Sequence, residues 1–248
     1  MSDPVPAPRF LMLACKVLRG EINVHRPRFG GPVATEWFCV GLHDQPDVLR
    51  ATLQEAIDRA ALRDDISAVV LAYGLCGLGT AGLVARRHPL VIPRAHDCIT
   101  VFLGAKEAYS AHQAAHPGGY YYTPGWNRRR RVPGPDRLEF LRTSFAKKFD
   151  EDAVDFLIES EKETWAMHDR ATYIDLGTPD AATEAAYAKG CADWLGWTFE
   201  HIRGDATLLR DLLAGRWDID RFQIVPPGEK LVHRPDAAIM GSQPEPPA

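Results

Sequence analysis

The chain has 248 residues, of which 46% are hydrophobic and 25% charged, and its formal net charge is −4 at pH 7. This apolar content suffices for one large core or two small ones and excludes intrinsic disorder as the dominant state. The slightly negative charge argues against a general nucleic-acid binder. No apolar run approaches the roughly 20 residues that span a bilayer, and from the N-terminal residues we expect no secretory signal. We therefore expect a cytoplasmic protein without nucleic-acid or membrane partners.

The first part of the chain shows the alternation of strands and helices that is typical of a parallel sheet flanked by helices. A flexible N-terminus over residues 1–8, with three prolines, precedes a predicted α/β lobe over 9–117. Within this lobe the pattern predicts strands over 10–15, 36–40, 68–73 and 90–92, helices over 46–62 and 80–87, and a third helix from after Cys98 to about residue 115. Continuous apolar runs at the first and third strands indicate strands that are covered on both faces.

The second part repeats this theme and predicts another α/β lobe over 118–232, followed by a flexible, proline-rich tail over 233–248. Strands are predicted over 120–123, 172–174, 198–202 and 222–225, and helices over 136–149, 151–168, 181–195 and 207–214. The first two of these helices form a helical insertion. The predicted fold class is therefore α/β, Rossmann-like, with two lobes; one large sheet with the same insertion is the alternative.

Three cysteines and a histidine follow strands of the first lobe. Cys15 ends the first strand, Cys76 lies in a glycine-rich loop after the third, and His96 and Cys98 follow the fourth. The carboxyl ends of parallel strands meet at one edge of a sheet, where ligands bind. Thiolates and imidazole are zinc ligands, and a cubane iron–sulfur cluster with one open iron is the alternative. We predict a metal site of these four residues, with the first strand between the other two.

Three polar residues near this edge are candidates for catalysis. His96 is a candidate proton carrier if it is not the fourth metal ligand, and Asp97 is placed to orient it. Arg94 is a candidate contact for an anionic substrate.

Two glycines and two aromatic residues are candidates for cofactor or substrate binding. Gly74 and Gly77 are expected to let the backbone approach a metal or substrate closely, because their spacing does not match the dinucleotide fingerprint. Tyr122 and Trp126 are predicted to form a pocket wall for a flat or methylated cationic ligand. A buried strand beside a turn is the alternative for this aromatic segment.

Several stretches carry recognisable motifs: 14–16 (ACK), 73–76 (YGLC), 92–98 (IPRAHDC), 122–126 (YTPGW), 171–175 (ATYID) and the closing stretch 204–228. Over about residues 8–232 the chain thereby resembles an uncharacterised prokaryotic family, the domain-of-unknown-function family 1638. Members are often encoded near corrinoid proteins and corrinoid-dependent methyltransferases. The resemblance therefore implies a place in corrinoid-linked one-carbon metabolism.

The leading hypothesis is a metal-binding protein of methyl-transfer metabolism, a zinc-dependent enzyme of methyltransferase type that activates a small-molecule substrate. Corrinoid or folate would enter only through a partner or substrate. One alternative is a non-catalytic protein that delivers a metal or cofactor to a corrinoid methyltransferase, or docks to it. The others are an iron–sulfur dehydratase or redox enzyme, and a metal-free thiol enzyme that pairs one cysteine of low pKa with His96.

Overall fold

The structure, a computed structural model, describes residues 8–27 and 31–245. The described chain divides into two compact units. The first unit contains the described residues up to Tyr109 together with those from Asp205 onward, and the second unit is Ser110–Gly204. Sheets of mostly parallel strands flanked by helices confirm the predicted α/β class. Among the described residues, no helix has the length and apolar character needed to cross a membrane.

The helices and strands follow in chain order, with these bounds: β1 (Phe10–Cys15), α1 (Arg19–His25), β2 (Ala34–Phe38), α2 (Pro46–Ala60), β3 (Ala68–Ala72), β4 (Leu90–Pro93), α3 (Cys98–Leu103), α4 (Lys106–Ala115), β5 (Gly119–Tyr122), α5 (Pro124–Asn127), α6 (Pro135–Phe145), α7 (Glu151–Thr164), β6 (Arg170–Asp175), α8 (Ala181–Leu195), β7 (Thr198–Arg203), α9 (Thr207–Ala214), β8 (Phe222–Val225), β9 (Glu229–His233) and β10 (Met240–Pro244).

The first unit contains a five-stranded sheet in the order β2-β1-β3-β4-β8. The first four strands are parallel, and β8 runs antiparallel to β4. Both β1 and β3 are buried along their whole length, as their apolar runs predict. The expected place of the first strand is wrong, because β3, not β1, lies between the other two strands that precede the cysteines.

The C-terminal part of the chain differs from the predicted division. The second lobe was expected to extend to residue 232, but α9, β8 and β9 belong to the first unit. Pairing of β8 with β4 fixes this return. The tail predicted to be flexible contains β10, which forms an antiparallel hairpin with β9. Except for Pro8, the predicted flexible segment 1–8 lies outside the described residues.

Left-handed backbone conformations explain two differences in the predicted helices. Residues 80–87 form no helix: a turn at 81–82, where Gly82 has φ +90°, leads into a segment in which Val84 forms an isolated antiparallel bridge with Lys230 of β9. The single helix expected from after Cys98 to about residue 115 is divided into α3 and α4, because Gly104 has φ +82° and ends the first of them. A left-handed residue cannot continue a right-handed helix.

The second unit contains a parallel sheet in the order β5-β6-β7. One face of this sheet packs on α8, and the buried side chains there are Tyr122, Ala171, Tyr173, Ala188, Cys191 and Ala192, together with Val132. Helices α6 and α7 pack on each other within the stretch predicted to be a helical insertion.

Candidate functional site

A row of polar side chains crosses the sheet of the second unit. Tyr121 of β5, Thr172 of β6 and Glu200 of β7 are neighbours in register. Side chains alternate along a strand, so this row lies on the face opposite the aromatic core. The Thr172 hydroxyl donates a hydrogen bond to Glu200 Oε2 over 2.9 Å. A half-buried carboxylate is thereby held at a fixed place on the sheet.

Two histidines, His112 in the last turn of α4 and His116 directly after the helix, lie next to this row. The N–H of His116 still donates to the carbonyl of His112 over 2.9 Å, as in a helical turn, so both side chains lie on one side, with ring centroids 5.0 Å apart. His112 Nε2 lies 3.2 Å from Glu200 Oε2, and its Nδ1 lies 2.8 Å from the Tyr121 hydroxyl oxygen. The imidazole of His112 is therefore fixed from both sides.

The Tyr121 hydroxyl suits either tautomer of His112. Without a metal, Nε2–H of neutral His112 donates to the Glu200 carboxylate, and Nδ1 accepts a hydrogen bond from the tyrosine. If Nε2 instead holds a metal, the proton moves to Nδ1 and is donated to the tyrosine oxygen. Partners of this kind orient a metal-binding imidazole and raise its basicity.

The charge of Glu200 also suits metal binding. Burial acts to raise the pKa of Glu200, but hydrogen bonds from Thr172 and His112 and the positive charge of Arg170 outweigh it, so the pKa lies below its ordinary value. The Arg170 guanidinium is 3.8 Å from the carboxylate. Glu200 is therefore ionised at neutral pH, which is the form that binds a metal.

These contacts define a candidate metal-binding triad, His112, His116 and Glu200. One ligand atom from each of the three lies within 4.8 Å of the others. Two imidazoles and one carboxylate form a ligand set found in zinc enzymes, in which a fourth position stays open for water or substrate. None of these three residues was among the predicted site residues. The four-residue spacing of the two histidines at the predicted end of a helix was the available signal, but nothing in the sequence pointed to Glu200.

The predicted cysteine site lies at the carboxyl edge of the sheet in the first unit. Ala14 is paired with Ala72, so Cys15 and Tyr73 follow on neighbouring strands. Beyond the paired strands, the N–H groups of Leu75 and Cys76 donate to the carbonyls of Ala95 and His96, each over 2.9 Å. These bonds continue the pairing of β3 and β4 into the following loops, and they hold Cys76 beside the segment 96–98.

This close approach of two backbones depends on Gly74. A Cβ atom at Gly74 would lie 2.7 Å from the backbone N and Cα of Asp97 and 2.8 Å from the carbonyl oxygen of Ala95. The chain then turns through Cys76, Gly77 and Leu78, with φ of +47°, +63° and +67°. At the two non-glycine positions the left-handed conformation costs roughly 1–2 kcal/mol each. Gly74 thus lets two protein backbones meet, and Gly77 serves the turn.

Burial keeps the thiol of Cys76 protonated at neutral pH. It raises the pKa of Cys76 to about 12, and the nearby Asp97 and Cys15 also raise it. The pKa of the Tyr73 phenol is raised chiefly by burial and also by Cys15 and Cys76, and its hydroxyl lies beside the Cys15 thiol. This environment opposes a metal-free thiolate at Cys76, since a raised pKa leaves almost no nucleophilic form.

The side chains of His96 and Asp97, the predicted catalytic pair, lie in different environments. The side chain of Asp97 caps the N-terminus of α3: its Oδ1 accepts from the N–H of Ile99 over 2.9 Å, and its Oδ2 accepts from the Tyr109 hydroxyl over 3.2 Å. Burial raises the pKa of Asp97. His96 is exposed, and its ring centroid lies 6.4 Å from that of Tyr109. The contacts of Asp97 thus fix α3.

Arg94 binds protein groups of the returning C-terminal segment. Its guanidinium donates to three backbone carbonyls and one side-chain amide, namely those of Ile219, Ala238, Met240 and Gln223. Four hydrogen bonds within the first unit assign Arg94 to holding this segment in place, which differs from the predicted contact with a substrate.

Among the described residues, the triad of the second unit brings three possible ligand atoms within 4.8 Å of one another. No three of Cys15, Cys76, Cys98 and His96, all of them described, form such a group. The cysteine site therefore stays a prediction.

The two aromatic residues of the predicted pocket wall belong to the core of the second unit. Tyr122 is fully buried, and its hydroxyl donates a hydrogen bond to the Pro133 carbonyl over 2.8 Å; Trp126 packs on the same core.

The fold and the triad define an α/β protein with a candidate metal site. The chain belongs to the family described as "Protein of unknown function (DUF1638)", whose model matches residues 37–213, well over half of the chain. The match includes the whole triad, as well as Cys76, His96 and Cys98, and begins after Cys15. No curated protein and no solved structure matches the chain.

Proposed function

We propose that this protein binds a divalent transition-metal ion, zinc in first place, through His112, His116 and Glu200. The observation that carries the proposal is the convergence of the three ligand atoms within 4.8 Å, with an ionised carboxylate among them. Zinc bound by three protein ligands keeps an open position at which it polarises a carbonyl or lowers the pKa of bound water.

The neighbouring side chains have defined tasks in this proposal. Tyr121 orients His112, and Thr172 orients Glu200, through the hydrogen bonds given above. Arg170 places a positive charge next to the ligand set, 3.8 Å from Glu200. An anionic group on a substrate at the open position would be attracted by this guanidinium.

Metal analysis and zinc titration test this proposal. We expect one zinc ion per triad in the purified protein, and calorimetric titration of the chelator-treated protein should restore it. His112→Ala and His116→Ala should each weaken zinc binding by more than about 100-fold, because loss of a supporting partner alone costs 10–100-fold. His233→Ala removes an exposed histidine of β9 and serves as the matched control. Unchanged zinc affinity in both triad variants would refute the site.

As a second candidate function we propose a zinc site of Cys15, Cys76, Cys98 and His96 at the carboxyl edge of the sheet in the first unit, used in corrinoid-linked methyl transfer. The observation that favours it is the pairing of the loops after β3 and β4, which holds Cys76 beside the segment 96–98. A bound cation would supply the charge needed to ionise the Cys76 thiol, whose pKa is about 12. The place in one-carbon metabolism rests on the family resemblance alone.

Stoichiometry and methyl transfer test this second candidate. A further zinc ion that is lost in Cys76→Ser, while triad zinc remains, would support it. With methylcobalamin as donor, the cobalt–carbon bond would break, a thiolate sulfur would take the methyl group, and cobalt would keep the electron pair. The rate at which a chelator removes zinc distinguishes a catalytic protein from a non-catalytic one that delivers metal to a methyltransferase. Delivery requires a fast-exchanging ion, whereas catalysis requires a slowly exchanging one. Zinc that stays at triad stoichiometry in every cysteine variant would exclude the site.

A further inference from the structure

A cleft of the second unit, lined by different residues from the triad, has aromatic side chains in its wall. Its volume is about 470 Å³, and Trp165, Trp194 and Trp197 line it, which are three of the six tryptophans of the chain. His168 and Asp169 also line it. The volume lies in the range of small-molecule sites, roughly 300–1,000 Å³. The size and the aromatic wall therefore suit a small ligand.

The tryptophans are packed to different depths. Trp165 is buried at the end of α7, whereas half of the surface of Trp194 is exposed. Trp197 is held by neighbouring rings, since its centroid lies 5.7 Å from that of His168 and 6.3 Å from that of Tyr120. A partly fixed aromatic wall with one exposed indole can receive a ligand without rearrangement of the core.

Most of the charges around this cleft are negative. Helix α7 ends at Thr164 and α8 at Leu195, so the C-termini of two helices meet the same cleft. By the helix dipole, each C-terminus carries about half a negative charge, and the exposed Asp169 carboxylate adds to it. Lys162 also lines the cleft, but its ammonium group is paired with Glu159 over 2.6 Å.

We propose that this tryptophan cleft binds a small organic cation with an alkylated ammonium group. The faces of indole rings attract cations, and an alkylated ammonium has an apolar surface that suits such a wall. Asp169 and the two helix C-termini supply the complementary charge. A neutral molecule of the same shape would gain the apolar contact only. The proposal does not depend on metal binding by the triad.

Titration with tetramethylammonium chloride, followed by tryptophan fluorescence, tests this proposal on the full chain. Potassium chloride at equal concentration controls for ionic strength, and neopentyl alcohol is the neutral analogue of the same shape. We expect saturable binding of tetramethylammonium and at least about 10-fold weaker binding of the alcohol. Trp194→Leu and Asp169→Asn should each weaken binding by about 5-fold or more, and both positions are exposed enough for the fold to tolerate the change.

Phe156→Leu is the matched control, because it likewise replaces an exposed aromatic residue of a helix, here α7, and Phe156 does not line the cleft. It should leave binding unchanged. Equal binding of the cation and the alcohol, or full binding by Trp194→Leu, would overturn the proposal. So would a fluorescence change that follows protein concentration instead of the cation, because a second copy of the chain would then cover the cleft.

Discussion

The substitution Gly74→Ala should destabilise the first unit strongly. The new methyl group would lie 2.7 Å from the backbone N and Cα of Asp97 and 2.8 Å from the Ala95 carbonyl oxygen. All three are backbone atoms, so no rotation of a side chain can relieve the contact. The two loops must move apart, and the hydrogen bonds from Leu75 to Ala95 and from Cys76 to His96 lie directly at this contact.

The expected loss of stability follows from these contacts. Overpacking in a well-packed region costs about 1–3 kcal/mol, and each hydrogen bond contributes roughly 0.5–1.5 kcal/mol. Since separation of the loops relieves part of the clash while weakening the bonds, we expect a loss of about 2–4 kcal/mol in the free energy of unfolding. For a chain of this size, 1 kcal/mol lowers Tm by roughly 2–4 °C. The melting temperature should therefore fall by about 5–15 °C.

Thermal unfolding and urea denaturation of the variant measure this loss. Gly41→Ala in the same unit is the control, because a Cβ there meets no atom within 4 Å. It should change stability by less than about 1 kcal/mol. If Gly74→Ala melted at the temperature of the wild type and of this control, the paired loops would not be as close as described, and the geometric support for the cysteine site would be lost.

Three further predictions concern single side chains. Tyr121→Phe removes the hydroxyl at His112 Nδ1 and should weaken zinc binding at the triad by about 10–100-fold in a calorimetric titration, with the fold unchanged by circular dichroism. Cys76 should react with iodoacetamide far more slowly than the exposed Cys39 at pH 7, because its pKa is raised from 9.0 to about 12 in the folded state; equal alkylation rates would contradict the raised pKa. By the same shift, the contribution of the Cys76 thiol to the free energy of unfolding is fully present below pH 9 and is lost as pH rises towards 12. Asp97→Ala removes the cap of α3 and should cost about 0.5–2 kcal/mol in urea denaturation, whereas Asp97→Asn, which can still accept the backbone hydrogen bond, should cost less.

The sequence was sufficient to predict those strands and helices whose structure follows from the local pattern of apolar residues. The apolar runs at β1 and β3 predict strands covered on both faces, and the structure buries every residue of both. The helical spacing of apolar residues over 46–62 corresponds to α2. The loop carrying Cys76 was also placed correctly, because it directly follows a strand whose end is evident.

The rest depends on contacts between distant segments. The position of β3 between β1 and β4, and the antiparallel pairing of β8, are set by tertiary packing that no local pattern encodes. Glu200 joins His112 only because the register of three strands aligns it with Tyr121 and Thr172. The predicted role of Arg94, contact with a substrate, differs from the one in the structure. Its hydrogen-bond acceptors lie about 125–146 residues further along the chain, so no local pattern indicates them.

The return of the chain to the first unit has a consequence for synthesis on the ribosome. The second unit is continuous in sequence, so all of its strands and helices are available once residue 204 has emerged. β4 ends at Pro93, whereas its edge partner β8 begins only at Phe222. At roughly 5–20 residues per second, the open edge of β4 waits on the order of ten seconds for its partner. During that interval the nascent chain exposes unpaired backbone donors and acceptors, and the unit that begins first is completed last.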